Sequence, residues 1–382
     1  MRRRRFLTGV TALGALLSGC TSSGDGGSGT DTADGGSSSN TASASTATDT
    51  GSYSVSIAPM GEVTFEEVPK KWLANNGSWA DMGVALGHDL PKGVWLTDRY
   101  ITRYYEAIPG VSVDKSGMID LYSDGVSKEV FYETAADVHV MDPNFILNRF
   151  KGLERADIEG IRKNVAPFFG NSIFSRGYPW HDYRYYSLYE AFGKLAAVFQ
   201  QRERYQAFSN LHEDFQQTIE KSLPDERPSV AILWASGNEP ETFLPYLIDK
   251  GTSYKQWRDL KVRDALAETD VKGFHSSRGQ IDYETLLAID PDVLLLRGHE
   301  QQTKKEFQNT VVKFMKNHPV ASELSAVKHR RVFRGGPLYQ GPITNLVLTE
   351  RAANQLYPDA FSDVQLYDPQ WVSAIVNGDF RQ

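Results

Sequence analysis

The residues best suited to chemistry are one aromatic stretch, three arginines and a few histidines. Gly177 to Tyr186 reads Gly-Tyr-Pro-Trp-His-Asp-Tyr-Arg-Tyr-Tyr, the densest aromatic run in the chain. Such a segment is costly to leave in water, so it packs into a core or meets a ligand. Ligand contact through Tyr178, Trp180, His181 and Tyr183 is the expectation, with packing onto a neighbouring helix as the other reading. Trp79 and Trp234 each follow a predicted strand directly and are assigned to the same site. Tyr339, between a Gly-Gly-Pro and a Gly-Pro, joins them. Arg278, Arg297 and Arg334 carry guanidinium forks that suit the anionic groups of a metal chelate. A salt bridge within the protein is the alternative for each. His181, His275 and His299 fall in neighbouring segments. Three imidazoles and a carboxylate could hold Zn or Mn, and one imidazole could ligate a haem or cobalamin metal. Loop histidines are more often simply solvated, so no protein–metal bond is assigned.

Other chemistries find little support. Gly-x-Ser-x-Gly, His-Glu-x-x-His, the phosphate-binding Gly-x-x-x-x-Gly-Lys-Ser/Thr and Gly-x-Gly-x-x-Gly are all absent. Glu239 and Glu241 share a loop without an evident acid–base partner. An enzyme is therefore not expected, and a surface adhesin is a third, weaker class. The formal charge is −7 and the only basic block is Arg2–Arg5, which argues against nucleic-acid binding through phosphates. The single cysteine, Cys20, excludes intrachain disulfides, Cys-based zinc sites and iron–sulfur clusters.

That cysteine sits in an address. Arg2–Arg5 precede a short apolar stretch, Phe6–Leu17, and then Leu17-Ser18-Gly19-Cys20. The layout is that of an export signal, too short to span as a mature anchor. Its arginines resemble a twin-arginine signal and its end resembles a lipobox, which would place a diacylglyceryl group on Cys20. Residues 21–52 are almost wholly Ser, Thr, Gly, Ala and Asp, a composition that cannot bury apolar surface and reads as a disordered tether. The expectation is a protein held by lipid alone at the extracytoplasmic face of the membrane, with no spanning helix. An acidic Ser/Thr tether behind such a signal resembles haloarchaeal surface lipoproteins.

From Tyr53 short apolar runs alternate with helical patterns, which points to α/β architecture with parallel sheets. Strands are expected near 72–75, 93–96, 138–141 and 165–169, then 230–234, 293–296 and 331–333. Ser187 to Leu223 breaks the rhythm. Leu188, Phe192, Leu195, Phe199, Phe208, Leu211, Phe215 and Ile219 recur at helical spacing, and Pro224 ends the run. One helix of roughly 50 Å is expected there. The organisation is then an N-terminal lobe (53–186), a joining helix (187–223) and a C-terminal lobe (224–382). A weak repeat relates the lobes: Ser127-Lys128-Glu129 leads to Ala136-Asp137-Val138, and Asp282-Tyr283-Glu284 leads to Pro291-Asp292-Val293 at the same offset. In open α/β sheets ligands bind beyond the carboxyl ends of the strands. That rule gathers 77–79, 97–104, 171–185, 235–242, 298–303 and 335–342, with 273–280 beside them.

The chain resembles the periplasmic binding proteins of ABC importers for iron–siderophore complexes, haem and cobalamin. The resemblance rests on Gly61–Phe65 with Val68-Pro69, on Ala85-Leu86-Gly87, on the paired Glu…Asp-Val units, on Val327–Arg334 and on the single joining helix. It covers about residues 53–365. It implies two Rossmann-like lobes with parallel sheets joined by one long helix (the class III arrangement), and a ligand in the cleft. It implies capture of a ferric siderophore or related iron complex, with haem or cobalamin as the alternative, and no permanently bound cofactor. It also implies permease and ATPase partners, with Glu129 and Glu284 each facing an arginine of a permease subunit. The chain departs from the pattern at Ala136, where proline is usual, and in two long aromatic stretches, 94–118 and 171–186, expected to line the cleft.

Overall fold

The computed structural model describes residues 51–380; the signal, Cys20 and nearly all of the tether lie outside them. The chain enters through an antiparallel hairpin, β1 (Tyr53–Ile57) and β2 (Gly61–Phe65). Val55, Ile57, Val63 and Phe65 alternate inward, the period-two pattern of a half-buried ribbon.

The N-terminal lobe is a sheet of four parallel strands in the order β5-β4-β3-β6, with β3 (Trp72–Ala74), β4 (Gly93–Val94), β5 (Ile119–Asp120) and β6 (Val138–Val140). The expected strand at 165–169 reduces to one bridge, His139 to Phe168. The helices are α1 (Gly77–Ala85), α2 (Glu129–Thr134), α3 (Pro143–Arg149) and α4 (Arg155–Asn164). Asn76 caps α1 and Asp142 caps α3, each accepting from a backbone N–H at 2.9 Å.

The joining segment corrects the sequence reading. It is not one helix but two, α5 (Leu188–Val198) and α6 (Arg202–Ser222), broken at Gln200 with φ +52°. Tyr189 stacks on His212 at 4.0 Å and Phe192 packs on Tyr205 and Phe208. Residues so far apart in one straight helix could not touch, so α5 and α6 form an antiparallel hairpin. The break lets Phe199 turn onto Trp72, 5.2 Å away. Only α6, about 30 Å long by its 21 residues, carries the chain to the second lobe.

The C-terminal lobe has the strand order β11-β10-β7-β8, with β9 also pairing β7. These are β7 (Ser229–Trp234), β8 (Leu244–Pro245), β9 (Arg263–Asp264), β10 (Val293–Arg297) and β11 (Val332–Arg334). All pairings are parallel except β7 with β8. Both faces of β10 are buried, which its unbroken Val-Leu-Leu-Leu run requires. Val293 and Leu295 face the core shared with the other lobe, and Leu294 and Leu296 face an outer cluster. The helices are α7 (Lys255–Asp259), α8 (Phe274–Ser277), α9 (Tyr283–Ile289), α10 (Lys304–Phe307), α11 (Lys313–Asn317), α12 (Ser325–Lys328), α13 (Pro342–Leu356), α14 (Pro358–Phe361) and α15 (Pro369–Asn377). Helix α13 returns to pack on α1 and α5, so the C-terminal part also covers the N-terminal lobe.

Candidate functional site in the interlobe cleft

In each lobe the first strand has its successors on both sides, which opens a crevice at the carboxyl ends of β3 and β6, and of β7 and β10. Trp234 ends β7 and is paired in register with Arg297, which ends β10. The guanidinium of Arg99, from the other lobe, lies over the Trp234 ring at 5.0 Å. Gly298 follows with φ +96°; a Cβ there would stand 2.6 Å from the Ala235 carbonyl and against the Trp234 ring. Only glycine lets the backbone pass so close. Between the lobes lies a pocket of about 260 Å³, bounded by Asp98, Arg99 and Ile101 on one side and by Trp234, Gly298 and Leu338 on the other.

Beside this pocket the two lobes bring four arginines among tyrosines. Arg149, at the end of α3, sits over Tyr178 at 5.6 Å. Arg278 caps α8 and covers Phe274 at 4.7 Å. Arg297 is fully buried between Tyr246 and Tyr254, at 5.3 and 4.9 Å. Its Nη2 donates to the Ser253 carbonyl at 2.5 Å, while Nε and Nη1 have no hydrogen-bond partner among the described residues. None of Arg99, Arg149, Arg278 or Arg297 forms an ion pair among those residues. Their fields overlap. Burial first, and then Arg278, Arg297 and Arg149, push the His275 imidazole down to about 3. Burial raises the Tyr246 hydroxyl to about 12 against the pull of Arg297 and Arg99. Burial likewise raises Tyr339, with Arg99 and Arg149 opposing. The site is an electropositive chamber with aromatic walls.

The aromatic stretch is built into the seam rather than hung over it. Thr252 N–H donates to the Ile173 carbonyl at 2.9 Å, Ser253 Oγ to that of Phe174 at 2.7 Å, and Arg176 N–H to Asp249 at 3.0 Å. These bonds stitch the segment to the C-terminal lobe. Tyr178 stacks on Trp180 at 5.1 Å, Trp180 on His181 at 5.6 Å, and His181 on Tyr185 at 3.6 Å. Tyr178 and His181 are buried, and Trp180 and Tyr183 are half-buried. Tyr183 donates to Asp142 at 2.5 Å.

Several expectations change. Trp79 is fully buried in α1 and lines no opening. Arg334 donates to the Gln302 carbonyl and lies 4.0 Å from Glu300, so it serves the protein's own seam. His299 is buried against Phe307, His275 sits among Phe174, Tyr178 and Tyr246, and His181 stacks with Trp180 and Tyr185. The three imidazoles do not converge, and no group of His, Cys, Asp or Glu that could hold a metal occurs among the described residues. Trp234, Arg278, Arg297, Tyr178 and Tyr339 do lie together around the chamber. Sequence reasoning missed Arg99, Arg149 and Tyr246. Arg99 falls inside the 97–104 loop already placed at the cleft, which was the available signal.

A second missed group closes the lobes over the pocket. Arg103 of the N-terminal lobe donates to the Gln302 carbonyl at 2.9 Å, and Gln301 Nε2 to the Asp98 carbonyl at 2.9 Å. Glu300 accepts from Tyr104 Oη, from Arg351 at 3.0 Å and from the Gly336 N–H at 2.8 Å. Burial alone would raise the Glu300 carboxyl, but Arg351, Arg334 and Tyr104 hold it down at about 2. Glu129 and Glu284 are both exposed, each in the first turn of its helix, α2 and α9.

The family model for periplasmic binding proteins matches residues 92–338, and the chain belongs to the periplasmic binding protein family. Its fold is shared with solved structures. Helicobacter pylori CeuE, crystallised as a nickel–histidine complex, superposes with a TM-score of 0.58 at 14% identity, covering 85% of this chain and 95% of that one. PiuA, an iron-uptake ABC transporter substrate-binding protein of Streptococcus pneumoniae, gives 0.53 at 15% identity over 79% and 98%. An Fe3+-hydroxamate transport protein of Saccharomonospora viridis gives 0.51 at 17% identity over 79% and 98%. These identities establish a common fold. No curated protein sequence matches.

Proposed function

We propose that this chain is the solute-binding component of an ABC importer and captures a ferric siderophore or related anionic iron chelate between its lobes. The observation that carries this reading is a set of arginines that form no ion pair among the described residues, Arg99 and Arg149 from one lobe and Arg278 and Arg297 from the other. Like charges brought together in a partly desolvated seam repel, and an anion bound between them removes that repulsion. Tyr178, Tyr246, Tyr339 and Trp234 add apolar, polarisable walls for a chelate's organic shell. The chain binds and releases its ligand unchanged, as a carrier rather than an enzyme. It is exported with a lipid on Cys20, and Glu129 and Glu284 guide it onto the permease that works with its ATPase.

The test is a tryptophan-fluorescence titration with ferric tri-catecholate, ferric tri-hydroxamate, ferric citrate, haem and cyanocobalamin. At least one anionic ferric chelate should quench Trp234 and Trp180, bind more weakly as salt is raised, and lose about tenfold or more in affinity in Arg99→Ala with Arg149→Ala. Binding of haem or cobalamin alone overturns the ferric reading. Tight binding of free Zn or Mn, lost on changing His181, His275 or His299, overturns the chelate reading altogether. For the anchor, Cys20→Ser should release an intact folded body from membranes.

A further inference from the structure

Helices α2 and α9 match position for position. Phe131 and Leu286 point inward and are fully buried. Ala135 and Asp290 close the helices in the left-handed region, with φ +45° in both. Tyr132 and Leu287 point outward, 46% and 38% exposed. Four large apolar side chains stand this far out among the described residues, namely Ile119, Tyr132, Leu287 and Trp371. Two of the four therefore occupy the same place in the repeat, three residues beyond Glu129 and Glu284. Residues three apart share a helix face, so each lobe presents a carboxylate and an apolar group side by side.

We propose, resting on the reading that Glu129 and Glu284 meet the permease, that Tyr132 and Leu287 are the apolar halves of two docking feet. The partner is the permease, whose two subunits each offer a cation beside an apolar side chain. A fully exposed carboxylate gains little from an ion pair in water. An apolar contact beside it excludes water from the pair and supplies the anchoring area. The charge of the feet fits a cationic partner. The N-terminal foot opens into a groove of about 410 Å³ lined by Lys128, Glu129, Tyr132, Glu133, Asp157 and Gly160. Lys128 is already paired with Asp157 at 3.2 Å, and Glu129, which accepts from the Ser127 hydroxyl, and Glu133 form no ion pair among the described residues. Helix α9 holds no basic residue. Gly160 lies under Tyr132, where even a Cβ would stand in ordinary contact, 3.6 Å from the Tyr132 hydroxyl. Two feet built on one repeat suit a partner whose two surfaces are themselves alike.

The experiment measures binding of the purified, ligand-free chain to its permease–ATPase complex in nanodiscs. Tyr132→Ser with Leu287→Ser should lose about tenfold or more in affinity, at low and at high salt, with an unchanged melting temperature. Glu129→Gln with Glu284→Gln should also lose affinity, but only at low salt. Trp371→Ser, an exposed apolar residue outside the repeat, should bind as wild type. If the glutamate pair matters and the Tyr132/Leu287 pair does not, the apolar feet are wrong and the docking reading stands. If neither pair matters, the docking reading fails and takes this inference with it. Loss in Trp371→Ser equal to that of the pair would mean general adhesion and would also overturn it.

Discussion

Asp137 and Asp292 make the same contact in opposite lobes. Asp137 accepts from the backbone N–H groups of Lys70 and Lys71 at 2.9 and 2.8 Å, just before β3. Asp292 accepts from the N–H of Ser229 at 2.7 Å and from its hydroxyl at 2.8 Å, at the start of β7. Each aspartate precedes the strand that pairs with the one it holds, β6 with β3 and β10 with β7. The repeated Asp-Val is thus a clamp that ties the first strand of each sheet to a parallel neighbour, β3 to β6 and β7 to β10.

Charge-assisted bonds of this kind contribute about 1–3 kcal/mol where they are not replaced by water. Both aspartates are exposed, so water recovers part of the loss. Asp137→Ala and Asp292→Ala are each expected to lower unfolding free energy by about 1 kcal/mol in urea denaturation, with losses that add. Clear non-additivity would mean that the two clamps are not independent.

Ala135 closes α2 in the left-handed region, at φ +45° and ψ +55°. A Cβ makes that conformation unfavourable by about 1–2 kcal/mol, and glycine escapes the clash. Ala135→Gly should therefore raise the midpoint of denaturation, by up to about 1 kcal/mol once the extra freedom of the unfolded glycine is offset. A lower midpoint would show that the Ala135 methyl group contributes packing that its exposed position does not reveal.

The lobes, the repeat and the cleft loops were legible because they rest on local rules. Apolar runs such as Val293–Leu296 need burial on both faces, and the Asp-Val clamp recurs with its helix. The break at Gln200 was not legible, because no glycine or proline marks it and its cause is tertiary. Arg204 donates to the Leu86 carbonyl at 2.6 Å and Phe199 turns into Trp72, contacts that only the folded lobe offers. The site was half legible for the same reason. Trp234 and Arg297 end strands and could be placed by topology. Arg149 ends a helix that was not predicted, and Trp79 follows a strand yet turns inward. The sequence could not show that the aromatic stretch would be stitched to Thr252 and Ser253, because those bonds join residues about eighty positions apart.

Glu300 holds the closed seam. It is buried, and its partner Arg351 is about four-fifths buried. Removing one member of such a pair strands the other's charge at about 3 kcal/mol or more, whereas removing both is far milder. Glu300→Gln should lower stability by that order, and Glu300→Gln with Arg351→Met should recover much of it. Small-angle scattering should also show the Glu300→Gln protein more open, because Tyr104 of the other lobe loses its charged acceptor. Equal stability of the single variant and wild type would leave Arg103 as the seam's main tie.

Acid should weaken the fold through its buried histidines, and His275 offers the cleanest measure. Burial first, and then Arg278, Arg297 and Arg149, hold its imidazole at about 3, below the 6.5 of an ordinary histidine. His139 and His181, at about 4, and His212, at about 3, are lowered in the same sense, chiefly by burial. Between pH 6.5 and 4 the unfolded chain therefore takes up protons that the folded chain refuses, and stability falls as pH falls. Asp81 works the other way: burial raises it to about 7, so its contribution weakens as pH rises from 4 to 7. Comparing wild type with His275→Phe cancels Asp81 and the other histidines. Phenylalanine suits a site walled by Phe174, Tyr178 and Tyr246. The stability difference between the two proteins should grow by about 1.4 kcal/mol for each unit below pH 6.5, in favour of the variant, and level off near pH 3. A difference that stays constant from pH 7 to 4.5 would mean that His275 reaches water in solution, and the arginine chamber beside it would then be open rather than sealed.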